Sequence, residues 1–364
     1  MSDDFSISRD LLKELIGLVN TNRTFSDIHI EPDMPIMLKT PRGWSQASDE
    51  PVRMEDMVPL LKGIDEDWED RIIDHALDRA FVLTQYRLRC NVYRMSSGAK
   101  VGVSIRRLPL HPLPLEKTGL PFYVKTMLET TKGIILVTGP TGSGKTTTIA
   151  SMLDYINATR NAHIITIEEP IEYELRRKQS IVSQKEVPSD TASFFTGLRE
   201  ALRQKPDVLM VGEIRDFDTA ETVLHAGESG HLVLATMHTN SAIGAITKLL
   251  GFFPAEQRQQ RGAILANALV GVIFQSLLPT DSGDDFALAS EMIFNNTQQV
   301  APYIMDLEKI HLIGDFLKRK EDNMSRSLNE VLAQMVMKKT ISSKDAMRTA
   351  YNRLELHEML NSKR

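Results

Sequence analysis

The sequence predicts an α/β fold, in which a P-loop domain on a parallel sheet follows a smaller α+β domain. Three observations lead there. The apolar run Gly133-Ile134-Ile135-Leu136-Val137-Thr138 passes directly into Gly139-Pro140-Thr141-Gly142-Ser143-Gly144-Lys145-Thr146, which matches G-x-x-x-x-G-K-T. Two further apolar runs, at 162–167 and 207–211, end in carboxylates, as buried strands do when they deliver chemistry at one edge of a sheet. A proline cluster then divides this pattern from an N-terminal segment of alternating strands and short helices.

The whole-chain numbers agree with two domains. At 364 residues the chain is long for one core. Its net charge of -5 argues against a domain-wide basic surface for a polyanion, and 42% hydrophobic residues is ordinary for a soluble protein. Cys90 is the sole cysteine, which excludes an internal disulfide and a cysteine zinc cluster. Ser2-Asp3-Asp4 is acidic and no apolar stretch of a secretory signal follows. No apolar segment approaches the ~20 residues that span a bilayer. The expectation is a cytoplasmic protein that reaches a membrane only through partners.

The N-terminal domain is placed at residues 1–107. Leu11, Leu12, Leu15, Ile16 and Val19 recur at helical spacing. Asp27-Ile28-His29-Ile30-Glu31 alternates as a half-buried strand, and Ile36-Met37-Leu38-Lys39 reads as the next, with a turn around Pro41-Arg42-Gly43. A helix carries Met54, Met57, Val58, Leu60 and Leu61, and the charge-rich stretch 65–78 reads as a surface helix or helix-turn element. In 86–94, Leu88, Cys90 and Val92 share one face while Arg87 and Arg89 lie on the other. A turn at Ser96-Ser97-Gly98 leads to a strand through Ile105, Arg106 and Arg107. These arginines read either as a solvated face or as phosphate-facing groups that act across a domain or subunit boundary.

Residues 108–120 form the linker, since Pro109, Pro112 and Pro114 suit neither a helix interior nor a central strand. The second domain is placed at 121–364. After a helix at about 121–129, the glycine-rich turn lets backbone amides converge on phosphates at a helix N-terminus. Lys145 would reach the β- and γ-phosphates, and Thr146 would offer its hydroxyl to Mg2+. The helix starting near Lys145 presents Ile149, Met152, Leu153 and Ile156 on one side. Glu168, Glu169 and Glu172 follow the next strand. Glu213 ends the one after, in the Walker B position, where a carboxylate holds water or metal near the γ-phosphate. His231 and His238 bracket a fourth strand, where each serves as a core or capping residue or as a sensor of the γ-phosphate.

These residues together resemble the motor ATPases of secretion systems and type IV pili, above all the retraction-type pilus motors and their relatives in conjugation and type IVB secretion. Gly139 to Thr148, with Thr147 inside it, resembles the family Walker A, and Thr166-Ile167-Glu168-Glu169-Pro170-Ile171-Glu172 its aspartate box, with Glu169 where aspartate is usual. Gly212-Glu213-Ile214-Arg215-Asp216 resembles its Walker B, and the stretch from Gly230-His231 to His238-Thr239-Asn240 its histidine box. The resemblance implies a RecA-like ATPase domain behind a PAS-like N-terminal domain, assembled as a homo-hexamer that hydrolyses ATP with Mg2+. It implies that Glu172 is the general base and that Glu213 supports the metal. It also implies that His231 and His238 contact the phosphate region and couple domains, and that Arg89 and Arg106, with Arg94 as a weaker third, are brought toward the γ-phosphate. The implied partners are inner-membrane platform or secretion-channel proteins, with no direct nucleic acid.

Two departures bear on the task. Extension motors carry a four-cysteine zinc module, which a single cysteine cannot build. Retraction motors usually carry an alanine-isoleucine-arginine-asparagine-leucine-isoleucine stretch, whereas this chain reads Gln299-Val300-Ala301-Pro302-Tyr303-Ile304. In 273–279, Gln275 is also followed by Ser276 rather than the arginine common in relatives. Beyond the nucleotide motifs, 254–274 reads as helix-rich, 286–294 as a strand, and the tail as helices near 301–304, 307–318, 328–337 and 342–353. The competing readings are a nucleic-acid-translocating ATPase of the same broad fold and a regulatory nucleotide-binding protein. The first lacks a basic or aromatic strip, and the second is at odds with the intact Glu172 and Glu213.

Overall fold

Period-two alternation in the N-terminal strands and continuous apolar runs in the later ones call for two kinds of sheet, one half-covered and one buried on both faces. The computed structural model of the chain contains both. It describes residues 9–295, 299–320 and 322–362, so Ser2-Asp3-Asp4 lies outside the described residues. The chain divides into two compact units, one comprising residues 1–111 with 282–285, the other 112–281 with 286–364.

The first unit holds β1 (Asp27–Ile30), β2 (Met37–Thr40), β3 (Gly43–Gln46), β4 (Leu77–Leu83), β5 (Tyr86–Met95) and β6 (Lys100–Pro109). They form an antiparallel sheet in the order β3-β2-β1-β6-β5-β4. Leu88, Cys90 and Val92 of β5 face a core that includes Leu11, Leu15 and Val19 of the helix Leu11–Val19 and Met57, Leu60 and Leu61 of the helix Met54–Ile64. Burial pushes the Cys90 thiol up to about 12, so it packs as a small apolar side chain. Only Trp68–Arg71 of the stretch 65–78 is helical, and β4 begins at Leu77. Among the β4 side chains only Leu77 is buried, so the strand carries little of the alternation that marks a strand in sequence. The turn at Gly43 likewise opens into a strand, β3, paired with β2 from Met37–Gln46 to Thr40–Gly43.

The second unit holds β7 (Gly133–Thr138), β8 (His163–Glu168), β9 (Ile181–Glu186), β10 (Val208–Val211), β11 (Leu232–Met237), β12 (Leu269–Pro279) and β13 (Phe286–Phe294). The sheet order is β13-β12-β7-β11-β10-β8-β9, parallel throughout except for β13. Alternate side chains of each inner strand enter different cores. Ile134, Leu136, Leu209 and Val233 join one, and Ile135, Val137, Met210 and Leu234 join the other. Leu115 and Leu120 of the proline-rich connector are buried in this second core, so that part of the connector is packed rather than free.

Seven strands stand where the sequence reads five, the four that carry the nucleotide motifs and the one at 286–294; β9 and β12 are the additions. The stretch 254–274 is not helical to its end, because the helix Ala255–Ala268 stops and β12 starts at Leu269. β-branched Val270, Val272 and Ile273 suit a strand held between β7 and β13. A Cβ on Gly271 would also meet Ile293 O at 2.6 Å, a closeness that only glycine tolerates there. The last helical pattern resolves into two helices, Ser343–Thr349 capped by Ser342 and Arg353–Asn361 capped by Asn352. Among the described residues, no helix is long and apolar enough to cross a membrane.

Candidate active site

In a parallel sheet the loops at the C-terminal strand ends share one edge, and ligands bind there. The loop after β7 is followed by the helix Lys145–Thr159, whose N-cap is Gly144 at φ 84°. Gly139 and Gly142 also have positive φ, at 148° and 77°. Such backbone is nearly free of strain only for glycine, and it turns successive amides inward. Ile149, Met152, Leu153 and Ile156 bury one side of the helix, fixing the loop to the sheet.

Lys145 is buried, and its Nζ donates to the carbonyls of Gly139 and Pro140, both at 3.0 Å. It also lies 3.4 Å from His238 Nδ1. Burial pulls the Lys145 ammonium below the ordinary lysine range, while the charges of Glu213 and Glu172 pull it back up. Thr138 Oγ1, Ser143 Oγ and Gln275 Oε1 are buried around the loop without a hydrogen-bond partner in the structure. A cradle of loop amides, a cation and unspent polar atoms fits a phosphate chain.

Three other strands deliver the remaining groups. Glu213 follows β10, where Gly212 is pinned by its amide to Ile167 O at 2.8 Å and by its carbonyl to Thr236 Oγ1. A Cβ at Gly212 would press on the Phe194 ring at 2.9 Å, so glycine is needed directly before the acid. Glu213 Oε2 accepts from Arg215 Nε at 2.8 Å, and Arg215 NH1 also reaches Glu169 Oε2 at 2.8 Å. Glu169, with its longer side chain in place of aspartate, thus shares one guanidinium with Glu213. His238 follows β11, with Nε2 3.7 Å from Glu213 Oε1.

Glu172 sits on the loop after β8, which is tied from several sides. Gln184 of β9 donates to Tyr173 O at 2.9 Å and accepts from Leu175 N at 2.9 Å. Tyr173 OH meets Thr147 Oγ1 at 2.7 Å, joining this loop to the helix after the P-loop. Below it, buried Glu168 accepts from Thr166 Oγ1 at 2.6 Å and Gln184 Nε2 at 3.0 Å, and burial pushes its carboxyl above the usual range. Gln184 and Tyr173 lie outside the sequence motifs, and Arg215, though inside the Walker B stretch, is given no role there. The placement of Gln184 and Tyr173 depends on β9 pairing beside β8 and on the loop folding back over the strand ends.

Not every expected residue joins this cluster. His231 precedes β11, and Leu232 pairs with Gly133 at the start of β7, whereas Met237 pairs with Thr138 at the P-loop end. His231 is therefore at the far edge of the sheet from the loop, where its Nδ1 lies 3.2 Å from Ala226 O and 3.3 Å from Ser229 Oγ. The expectation that both histidines contact the phosphate region is corrected here for His231 within one chain. A six-residue strand separates two residues that the motif groups together.

Arg89 and Arg106 belong to the first unit and face each other directly across β5 and β6, with Arg106 Nε donating to Asp27 Oδ1 at 2.9 Å. Arg94 has the opposite strand parity to Arg89, and its guanidinium folds beside Gly98. Arg107, next in sequence to Arg106, is a packing residue. It stacks 3.6 Å over the Phe25 ring and donates to the carbonyls of Val19 and Arg23 at 3.0 and 2.9 Å.

A family comparison places residues 85–301 in the family described as type II/IV secretion system protein, which is more than half of the chain. The chain belongs to that family. Among relatives of this secretion-protein family, the type IV pilus retractation ATPase PilT of Pseudomonas aeruginosa is 37% identical over 271 residues, covering 74% of this chain and 78% of that protein. The type IV pilus ATPase PilU of the same organism is 34% identical over 260 residues, covering 71% and 68%. A crystal structure of the pilus retraction motor PilT with bound ADP matches at 37% identity and a TM-score of 0.79, covering 96% of this chain and 98% of that one. The ATPase DotB of Yersinia pseudotuberculosis matches at a TM-score of 0.81 over 93% of this chain and 91% of that one. At 22% identity this likeness concerns the fold. The family's α/β architecture, with a RecA-like ATPase domain, is the one found in this chain.

His238 gives the site a pH signature. Burial, then the charge of Lys145, holds its imidazole below the ordinary 6.5, while Glu213 partly opposes this. As pH falls through ~6.5 the unfolded chain takes the proton first. The stability contribution of neutral His238 is therefore complete above that value and is lost as pH falls toward the lower folded value. Between about pH 7.5 and about pH 5.5 the parent is expected to lose more stability than His238→Gln, measured by urea midpoints. Equal losses in both proteins would remove His238 as the source.

Proposed function

We propose that the chain is an ATP-hydrolysing, hexameric motor of a type IV pilus or type IV secretion machine. The observation that carries this reading is the meeting of Lys145, His238 and Glu213 around the P-loop, within reach of the Glu172 charge. Identity to PilT and PilU supports the same reading.

In the proposed reaction, loop amides bind the β- and γ-phosphates, and Lys145 Nζ leaves the Gly139 and Pro140 carbonyls for phosphate oxygens. Glu172 accepts a proton from water, the water oxygen bonds to the γ-phosphorus, and the bond to the ADP oxygen breaks. Thr146 and Glu213 supply hard oxygen donors that would hold Mg2+. That ion, when bound, neutralises phosphate charge. Arg89 and Arg106 would complete the site from a neighbouring subunit. Closing and reopening of successive subunit interfaces would then do mechanical work on a membrane-embedded partner.

The full chain is expected to hydrolyse ATP only with a divalent cation, without stimulation by single-stranded DNA, and to form a six-membered ring with nucleotide. Phosphate release assays with and without Mg2+ and DNA, together with native mass measurement, check this. Strong DNA stimulation would favour a nucleic-acid translocase. A strict monomer with ATP would defeat the mechanical reading.

A further inference from the structure

The P-loop is gripped at both ends by a residue that belongs to none of the nucleotide motifs. Gln275 of β12 is fully buried. Its Nε2 donates to Ser143 O at 2.6 Å. Its own backbone carbonyl abuts the start of the loop, where a Cβ added to Gly139 would run into it. A Cβ on Gly144 would in turn lie 3.2 Å from Gln275 Nε2, so the amide also sits against the loop's last glycine. Among the described residues Gln275 Oε1 has no hydrogen-bond partner, so the bond from Nε2 ties this buried side chain to the loop.

The consequence follows from the planar trans peptide. The C=O of Ser143 and the N–H of Gly144 belong to one unit and point in opposite directions. Drawing Ser143 O into the core toward Gln275 turns the Gly144 N–H outward, toward the cradle in front of the helix Lys145–Thr159. We infer that Gln275 is a positioning residue for phosphate binding: its side-chain amide fixes the orientation of the Ser143–Gly144 peptide so that the loop is preformed for the phosphates of a nucleoside di- or triphosphate. This rests on the ATPase reading above and extends it to a strand that contributes no group to the phosphates themselves.

The register makes the grip possible. β12 runs parallel beside β7, with Phe274 opposite Thr138, the last residue of β7, so Gln275, still within β12, comes level with Gly139. The irregularity between Leu269 and Gly271 sets which residue of β12 reaches that level.

The test compares the parent with Gln275→Met and Gln275→Glu in the full chain. Methionine keeps the length and leaves no new unpaired donor, because Oε1 has no partner to strand. For Gln275→Met the nucleotide-free melting temperature is expected to stay within ~4 °C of the parent. Its ADP dissociation constant, by calorimetry, is expected to rise about tenfold, about the worth of one buried hydrogen bond. In steady state the KM for ATP should rise by a similar factor with kcat within about twofold, the mark of lost binding shared by ground and transition states. Gln275→Glu, which can donate to Ser143 O only as the neutral acid, should bind ADP more tightly at about pH 5.5 than at about pH 8, relative to the parent at each pH. Parent-like ADP affinity in a well-folded Gln275→Met, or a Gln275→Glu ratio that does not change with pH, would overturn the inference. Failure of the parent itself to bind ADP would instead overturn the ATPase reading.

Discussion

Lys145→Ala is expected to abolish ATP hydrolysis and weaken ADP binding about 100-fold while the chain stays folded. The size follows from what Nζ does. It makes two 3.0 Å bonds to loop carbonyls, and phosphate binding exchanges these for charge-assisted bonds. One such bond contributes ~1.5–3 kcal/mol, and ~2.7 kcal/mol corresponds to 100-fold in affinity. The catalytic loss is larger, because a cation preplaced where charge develops contributes a further ~100- to 1000-fold in rate. Burial already holds the Lys145 ammonium below its ordinary range, so a phosphate chain has a poorly solvated cation to meet. Calorimetry with ADP and a phosphate release assay read the two effects separately. Retained ADP affinity in a well-folded Lys145→Ala would mean that the loop amides alone hold the nucleotide.

The second large effect is expected at Glu172. Glu172→Gln keeps shape and loop contacts but cannot accept a proton, so kcat should fall by about 10²–10⁴ while ADP affinity stays within a few-fold. The loop is held independently of the carboxylate, through Gln184 at Tyr173 O and Leu175 N and through Tyr173 at Thr147. A fall in kcat with unchanged binding therefore reports chemistry rather than a collapsed loop. Three other carboxylates stand nearby, Glu213 beside Arg215 and His238, Glu169 on the same guanidinium, and buried Glu168. If Glu172→Gln kept most of the parent kcat, the base would have to be sought among these three. The paired measurement is single-turnover hydrolysis alongside ADP calorimetry.

Much of the second unit was legible because its signals are local. The glycines of the P-loop, the apolar strand before it and the helical stripe through Ile149, Leu153 and Ile156 lie within one stretch of sequence. Acids at the ends of β8 and β10 were equally readable, since a buried strand that ends in a carboxylate announces its ligand edge. Legibility failed where a strand was exposed or shared its apolar residues with a helix. β4 is mostly exposed, so nothing in its polarity alternates. The start of β12 continues the apolar content of the helix Ala255–Ala268, and only its pairing with β7 and β13 makes it a strand.

The sequence by itself determined the phosphate loop and the acids that follow β8 and β10, the groups proposed above as base and metal support. Residue type and close spacing suffice for each. Which groups meet was decided by tertiary structure. Strand direction sends His238 to the P-loop and His231 to the opposite edge, although the same motif contains both. Sheet order sets β11 between β7 and β10, which brings Lys145, His238 and Glu213 together. The same order lays β12 against β7, so Gln275 closes on Ser143 from 132 positions away. Spacing along the chain encodes periodicity and turns, whereas contacts between distant strands depend on register, which the pairing of whole strands alone sets.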